Sequence, residues 1–537
     1  MTFTTLLIFI LLVQVIHFLG TWKLYIKAGR KAWEAAVPVY NAIVLMKIIN
    51  RSPWWTLLLF IPIVNVIMFP VVWVETLRSF GRNSNTDTIL GVCTFGLYIY
   101  YINYTQDVTY ISDRSLKPRT AAGEWTSSIL FAVVAATIVH TYVMQPFTIP
   151  TSSLEKTLLV GDFLFVSKFH YGARMPMTAV SFPMVHDTIP VVRTKSYLDK
   201  PQLPYFRLPG FQKIKRNDIV VFSWPTDTLI DINRPAKGFK VKPLDKKSNY
   251  VKRCVGIPGD ELEIRDGYVY INGEQNQLPD RAKLQFRYKI ISKSSFVKTD
   301  NQGRYTNQPS AYVSSYFNIS DIYISDIDRE SKIITHIAQM TDEAYEMVKN
   351  NPNVIEVEKL AEEKGVWNKS VYPQDPRFNW NTKFFGPLNI PKAGTTVDIS
   401  IENIPLLKRI IEVYEGSEFG IENKISVSGT QVMLNGELLT QYTFLQDYYW
   451  MMGDNRDNSQ DARMWGFVPF NHVVGKPVFV WMSWDSNAKG FINKIRWERL
   501  FTTVGGEGKP VSYFKYFIIL LAGWFIFDFI RKRKKKA

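Results

Sequence analysis

Long apolar runs lie near both ends of the chain, and a block of mixed polarity separates them. Four runs precede residue 145 and a fifth follows residue 510: 3–19, 54–74, 88–104, 127–144 and 513–530. A helix that crosses the hydrocarbon core of a bilayer needs about 20 residues, within a range of about 17–25, so each run predicts a membrane-spanning helix. Pro62 and Pro70 interrupt the second run, which leaves a re-entrant or buried core element as the alternative there.

Basic residues in the short loops predict the direction of these spans. Between the first two runs lie six basic residues, Lys23, Lys27, Arg30, Lys31, Lys47 and Arg51. Between the third and fourth runs lie three, Arg114, Lys117 and Arg119, and the fifth run is followed by six consecutive basic residues, 531–536. Loops rich in Lys and Arg stay in the cytoplasm, so the central block is expected on the opposite side. The first run lacks the basic segment and cleavage site of a signal peptide, and we expect it to be retained.

The chain is therefore expected to have four parts. Residues 1–126 carry three spans, residues 127–144 form a fourth, residues 145–510 form an extracytoplasmic domain, and residues 511–537 form a C-terminal span with a basic tail.

Short β-type runs dominate the central block. Two of them end in an Asn-Gly pair, at Asn272-Gly273 and Asn435-Gly436, which is a strong hairpin signal. Glu and Lys fall at helical spacing only in 342–350 and 355–364, inside a tract of different composition at about 281–384. The pattern predicts a mostly antiparallel β domain with an inserted α+β module.

Composition adds three expectations. The chain has 64 Lys and Arg against 48 Asp and Glu, a formal net charge of +16, and its densest basic run directly follows an apolar run. This placement favours membrane lipid as the partner, not nucleic acid. The two cysteines, Cys93 and Cys254, lie in an apolar run and a predicted strand, so no disulfide is expected. The six histidines do not pair at metal-ligand spacing, and neither a metal site nor another cofactor is expected.

Two segments carry candidate chemistry. In IPTSSLEKTLLVGDFLFVSKF (149–169), a hydroxyl-rich turn precedes an apolar strand; in NYVKRCVGIPGD (249–260), Lys252 lies in a β-type run with uncharged alternate neighbours. Strand alternation sends Arg253 to the opposite face. Burial removes the proton from a lysine, with pKa values of about 5–6 documented, and a neutral amine can then deprotonate a serine hydroxyl. A Ser-His-Asp triad is not excluded, but no G-x-S-x-G motif supports one.

These segments resemble conserved blocks of the bacterial type I signal peptidases, which are Ser/Lys serine peptidases. Two further blocks, RNDIVVFSWP (216–225) and MGDNRDNSQDARMWGFVP (452–469), follow in the family's order, and FGPLNIPKAG (385–394) is similar to the stretch before the last block. The resemblance covers 145–261 and 384–482 together with the membrane anchoring. It implies a signal-peptidase type of β catalytic domain on a multi-span α-helical membrane anchor.

The resemblance also implies the roles of individual residues. Ser153 matches the nucleophile and Lys252 the general base. The remaining matched residues are Thr151 and the backbone N–H of Ser153 as oxyanion donors, Ser459 as hydrogen-bond partner of the lysine, Asp461 and Arg463 as supports, and Arg253 with Asp454 as an ion pair. The family commonly has Gly, Met and Pro where this chain has Ser152, Leu154 and Lys156, and Ser152 is a second candidate nucleophile.

The expected activity is membrane-bound removal of N-terminal signal peptides from exported preproteins with small side chains at positions −3 and −1. Ser153 follows the fourth run by nine residues, which at most about 3.6 Å per residue keeps it within about 30 Å of the membrane. The implied location is the bacterial inner membrane, multi-pass, with the catalytic domain outside, and the export machinery is a further expected partner. The alternatives are another Ser/Lys protease, similar to the self-cleaving repressors, and a membrane-anchored binding protein with a degenerate site.

Overall fold

The computed structural model describes residues 3–118, 120–228, 241–300, 302–488 and 490–534. The chain divides into two compact units: Met1–Met144 with Ala173–Leu208 and Thr228–Lys247, and Gln145–Gly172 with Pro209–Asp227 and Ser248–Ala537. Arg119, Lys535 and Lys536, which entered the topology prediction, lie outside the described residues.

The first unit is helical. Its helices are α1 (Phe3–Lys27), α2 (Tyr40–Ile48), α3 (Trp55–Leu58), α4 (Val64–Ser79), α5 (Asn85–Cys93), α6 (Tyr98–Thr105) and α7 (Ala121–Ile138). A π-helical turn, Val139–Val143, extends α7. Within the described ranges, two helices of the chain are long and apolar enough to cross a membrane, Phe3–Lys27 and Ala121–Val143.

The second and third apolar runs form pairs of shorter helices where the sequence predicted single continuous ones. The second run is divided between α3 and α4, with Pro62 in the connection, because proline lacks an N–H and restricts the backbone before it. The third run is divided between α5 and α6 at Phe95 and Gly96, which both have a positive φ. The five-span topology therefore stays a prediction.

The second unit is rich in β-strands. They are β1 (Met144–Thr148), β2 (Asp162–Ser167), β3 (Ile219–Ser223), β4 (Asn249–Gly256), β5 (Glu261–Arg265), β6 (Tyr268–Ile271), β7 (Glu274–Gln275), β8 (Phe286–Ser292), β9 (Val297–Thr299), β10 (Tyr305–Pro309), β11 (Asp321–Asp328), β12 (Ile333–Met340), β13 (Val354–Lys359), β14 (Phe385–Asn389), β15 (Thr396–Asp398), β16 (Ile425–Ser428), β17 (Gln431–Leu434), β18 (Glu437–Leu438), β19 (Gln441–Thr443), β20 (Tyr448–Met452), β21 (Val468–Pro469), β22 (Val473–Ser483) and β23 (Thr502–Thr503). Its helices are α8 (Ala311–Tyr316), α9 (Asp342–Lys349), α10 (Ile404–Arg409), α11 (Ala462–Trp465) and α12 (Phe514–Lys534).

The largest sheet has the strand order β1-β2-β22-β3-β4-β20-β21, and β23 pairs with β22. The pairs from β2 to β21 are antiparallel, as the sequence predicted for this domain. The two predicted hairpins are confirmed: β6 pairs with β7 across Asn272-Gly273, and β17 pairs with β18 across Asn435-Gly436. All four turn residues have a positive φ, which the twist of a two-residue hairpin requires.

A separate four-stranded antiparallel sheet has the order β11-β12-β8-β13. It has its own buried core, which includes Phe286, Ile290 and Phe317. The predicted helix at 342–350 is confirmed as α9, but the helix expected at 355–364 is wrong, because this stretch contributes to β13. Val354 and Val357 favour a strand, and pairing with β8 outweighs the helical spacing of the charged residues.

The last apolar run forms α12, which has 21 residues. Lys515 and Asp528 lie within it, and its last turn is wholly basic, from Arg531 to Lys534. The length and the basic end fit the predicted C-terminal span, while the internal charges make α12 less apolar than α1 or α7.

Candidate active site

Ser153 lies in a compact loop, residues 151–158, between β1 and β2, which we call the serine loop. Three backbone hydrogen bonds close this loop. The N–H of residue 155 donates to the carbonyl of residue 152, and the N–H groups of residues 157 and 158 both donate to the carbonyl of residue 154. Leu154 and Leu158 are buried in the core beneath the loop. The apolar side chains thus fix the loop, while Ser153 keeps about 8% of its surface exposed.

Lys252 lies in β4, which is flanked by β3 and β20. It is opposite Val220 in the neighbouring strand and only 3% exposed. Burial lowers the pKa of Lys252 to about 8, against the opposing effect of the negative charge on Asp461. A sizeable fraction of this amine is therefore neutral near pH 8, as a general base requires.

The segment after β20 packs directly on the serine loop. The N–H of Asn455 donates to the carbonyl of Ser153 at 3.1 Å. A Cβ atom on Gly453 would lie 2.5 Å from the same carbonyl and 2.3 Å from the Ser459 Oγ, so only glycine permits this approach. The Ser459 Oγ and the Ser153 carbonyl oxygen therefore lie on the same face of Gly453.

Arg253 and Asp454 form a buried bidentate ion pair. The Arg253 Nε and Nη2 donate to the two Asp454 carboxylate oxygens at 2.8 and 2.7 Å, and the Thr157 hydroxyl lies 2.8 Å from the Asp454 Oδ2. Burial alone would raise the pKa of the Asp454 carboxyl, but the charge and hydrogen bonds of Arg253 outweigh it and hold this pKa below its usual range. One carboxylate therefore joins the strand of Lys252 to the serine loop.

Asp461 and Arg463 form a second buried pair, with both N–H···O distances at 2.9 Å. The Asp461 Oδ2 also accepts from the N–H of Gly453 at 3.1 Å, and the Arg463 Nη2 donates to the carbonyl of Arg456 at 2.6 Å. This pair fixes the loop that carries Ser459. The same Asp461 charge acts on Lys252, so the pair contributes to the electrostatics of the amine as well.

The three hydroxyls predicted around the nucleophile differ in their surroundings. Thr151 is exposed at the start of the serine loop. The Ser459 Oγ is buried and, within the part of the chain that the structure describes, has no hydrogen-bond partner. Ser152, in contrast, accepts a hydrogen bond from the Asn458 Nδ2 at 3.1 Å. Of the two adjacent serines, Ser152 is the one whose hydroxyl is engaged by a neighbouring side chain.

Sequence reasoning missed several residues of this site. Gly453, Asn455 and Thr157 make the contacts that hold the serine loop, and Arg456 lies buried between the two ion pairs. Gly453 and Arg456 belong to the GDNRDNS motif, and this motif is the sequence signal that could have identified them as site residues. Thr157 has no local signal, because its partner Asp454 is 297 residues away.

A cavity of about 580 Å³ is lined in part by Gln460, which lies between Ser459 and Asp461 in the chain. Trp224 and Trp465 line the cavity and pack against Tyr250, which lies two residues before Lys252 in β4. Alternate residues of a strand share a face, so the cavity and Lys252 lie on the same side of the sheet.

Comparison with known proteins gives two family matches. The model of the family "Signal peptidase, peptidase S26" matches residues 122–321 and 429–484, which include Ser153, Lys252 and the segment from Asp454 to Arg463. A family of unknown function (DUF5684) matches residues 33–113.

Several curated relatives are named signal peptidase I. That of Buchnera aphidicola subsp. Acyrthosiphon pisum is 26% identical over 68% of this chain and 77% of the relative. That of Haemophilus influenzae is 25% identical over 72% of this chain and 78% of the relative. That of Helicobacter pylori is 25% identical over 72% of this chain and 94% of the relative.

The β domain and these matches define the chain as a hydrolase of the serine endopeptidase class. The chain is similar to the S26 family of signal peptidases over residues 122–321 and 429–484.

Removal of one partner of the first ion pair should destabilise the protein strongly. Arg253→Met leaves the Asp454 carboxylate buried without its cation, and we expect a loss of about 3–5 kcal/mol in the free energy of unfolding. The double variant Arg253→Met/Asp454→Leu removes both charges and should lose less. Denaturant unfolding of the purified protein measures both. A single-variant loss below about 1 kcal/mol, typical of an exposed pair, would contradict this role.

Proposed function

We propose that this protein is a membrane-bound endopeptidase that removes N-terminal signal peptides from exported preproteins, with Ser153 and Lys252 as its catalytic dyad. The observation that carries the proposal is the link that Asp454 makes between the Lys252 strand and the serine loop. The relatives named signal peptidase I supply the substrate class.

The proposed mechanism uses neutral Lys252 to activate Ser153. The Lys252 Nζ removes the hydroxyl proton as the Ser153 Oγ attacks the scissile carbonyl, and the resulting ammonium then protonates the leaving amine. The N–H of Ser153 and the hydroxyl of Thr151 would stabilise the oxyanion. A water molecule, deprotonated by the same amine, then hydrolyses the acyl-enzyme. The role of Ser459 as hydrogen-bond partner of Lys252 is part of the proposal, since the Ser459 Oγ has no partner among the described residues.

Ser153 is favoured over Ser152 as the nucleophile. The Ser152 hydroxyl faces Asn458, whose amide also donates to the Asp321 Oδ2 at 2.9 Å. Ser153 instead lies beside Gly453 and Ser459, in the part of the loop held by Asp454 through Thr157.

The membrane setting supports signal peptides as substrates. Two long apolar helices precede the serine loop, and only eight residues separate Met144 from Ser153. A signal peptide whose apolar segment is still in the lipid presents its cleavage site near the same surface, and tethering raises the effective concentration of enzyme and substrate. We further propose the five-span topology, an outward catalytic domain carrying the inserted 281–384 module, and the inner membrane as its location, with lipid and the export machinery as partners.

Substitution of the two adjacent serines should separate their roles. We expect Ser153→Ala and Lys252→Ala each to abolish cleavage of a purified preprotein, because each removes one member of the dyad. Ser152→Ala should still cleave, because its hydroxyl is outside the dyad, at a rate lowered by the loss of its hydrogen bond from Asn458. Conversion of the preprotein to its shorter mature form, followed by gel electrophoresis, is the measurement. Persistent cleavage by Ser153→Ala, or its loss in Ser152→Ala alone, would overturn the assignment.

The topology predicts opposite sides for two reporter positions. A reporter inserted after the exposed Gly429 should be outside the cytoplasm, and one fused after Lys536 should be inside, because the basic run follows the last apolar helix. Paired alkaline phosphatase and green fluorescent protein fusions distinguish the two sides. A cytoplasmic signal at Gly429 would contradict the outward catalytic domain.

A further inference from the structure

Residues 318–321, between α8 and β11, alternate between the core of the four-stranded module and the serine loop. Phe317, Ile319 and Ile322 are each about 1% exposed and belong to the hydrophobic core of that module. The side chains between them, Asn318, Ser320 and Asp321, are polar. The segment is therefore anchored on one side by apolar packing and presents polar groups on the other.

All three polar side chains reach the catalytic region. The Lys156 Nζ donates to the Asn318 Oδ1 at 3.0 Å, and Ser320 lies near the carboxylate of Glu155. The amide of Asn458 donates to the Asp321 Oδ2 at 2.9 Å and to the Ser152 Oγ at 3.1 Å. These contacts hold the serine loop on both sides of Ser153, at residue 152 and at residues 155–156.

Lys156 has a backbone conformation that needs such support. Its φ is 71°, in the left-handed region that non-glycine residues rarely adopt, and a proline ring, which fixes φ near −65°, could not take it. The loop cannot be stiffened by a proline at this position. The bond from the Lys156 Nζ to Asn318 and the contact of Thr157 with Asp454 restrain the chain there instead.

We propose that the 318–321 segment positions the serine loop for attack, with Lys156, Asn318 and Asp321 as positioning residues. They act through the placement of Ser153 and do not touch the substrate. The inference rests on the proposed function and extends it, because it makes the four-stranded module part of the catalytic apparatus. A misplacement of about 1 Å at a reacting group can cost about 10²-fold in rate, so these contacts should affect kcat.

The test compares Lys156→Met with a matched control. Methionine keeps a long, unbranched side chain and removes the ammonium, so the bond to Asn318 is lost while the backbone preference is unchanged. Lys332→Met is the control, because Lys332 has a φ of 57° in an exposed turn of the same module, between β11 and β12. Initial rates of preprotein cleavage, thermal unfolding and the fraction of active enzyme are measured for both.

We expect kcat of Lys156→Met to fall about tenfold, with KM within twofold of the wild-type value and an unchanged melting temperature. Lys332→Met should match the wild type. Asn318→Asp keeps an oxygen acceptor for Lys156 and tolerates its own positive φ of 55°, so it should retain most of the wild-type kcat. Asn318→Asp combined with Lys156→Met should not recover activity, because the cation is gone.

The outcomes separate this inference from the proposed function. If the wild type does not cleave the preprotein, or Ser153→Ala still does, the proposed function fails. If the dyad holds but Lys156→Met has the kcat of Lys332→Met, the positioning role is wrong. A rise in KM at constant kcat, or a fall in kcat that equals the loss of folded enzyme, would also overturn it.

Discussion

The ion pair of Arg253 and Asp454 is the interaction on which the site depends. Two buried charges are costly, and the cost is offset only when every polar atom is satisfied. Here the pair is bidentate, the Thr157 hydroxyl contacts the same carboxylate, and the Arg253 Nη1 donates to the carbonyl of Asn217. Residues that are far apart in the sequence are thereby held in one cluster, and the serine loop cannot move away from Asp454 without breaking the hydrogen bond of Thr157.

The strand geometry divides two tasks between neighbouring residues. Arg253 uses one face of β4 to bind Asp454, while Lys252 lies with Tyr250, with its Nζ 5.6 Å from the ring centroid. Arginine suits a buried ion pair because its guanidinium stays charged, whereas lysine loses its proton readily when buried. In the proposed mechanism the adjacent positions therefore carry opposite requirements, a permanent cation for structure and a neutral amine for chemistry.

The sequence predicts those structural elements whose conformation depends on neighbouring residues in the chain. Asn272-Gly273 and Asn435-Gly436 predict their hairpins because two consecutive positive φ values restrict the turn to such residues. The stretch at 355–364 was misjudged because its charged residues fit a helix, while pairing with β8 decides its structure. The contacts of Thr157 with Asp454 and of Lys156 with Asn318 join residues 297 and 162 positions apart, and no local pattern encodes them.

The proposed mechanism requires that Lys252 is a buried base, kept partly neutral, that accepts the proton of Ser153. The dependence of kcat/KM on pH tests it most directly, because only the deprotonated amine can accept the serine proton. The account predicts that kcat/KM rises with pH and levels off above an apparent pKa of about 8, the value to which burial lowers Lys252. An apparent pKa near 10.4, as for an exposed lysine, or a rate that falls as the pH rises from 6 to 9, would contradict it.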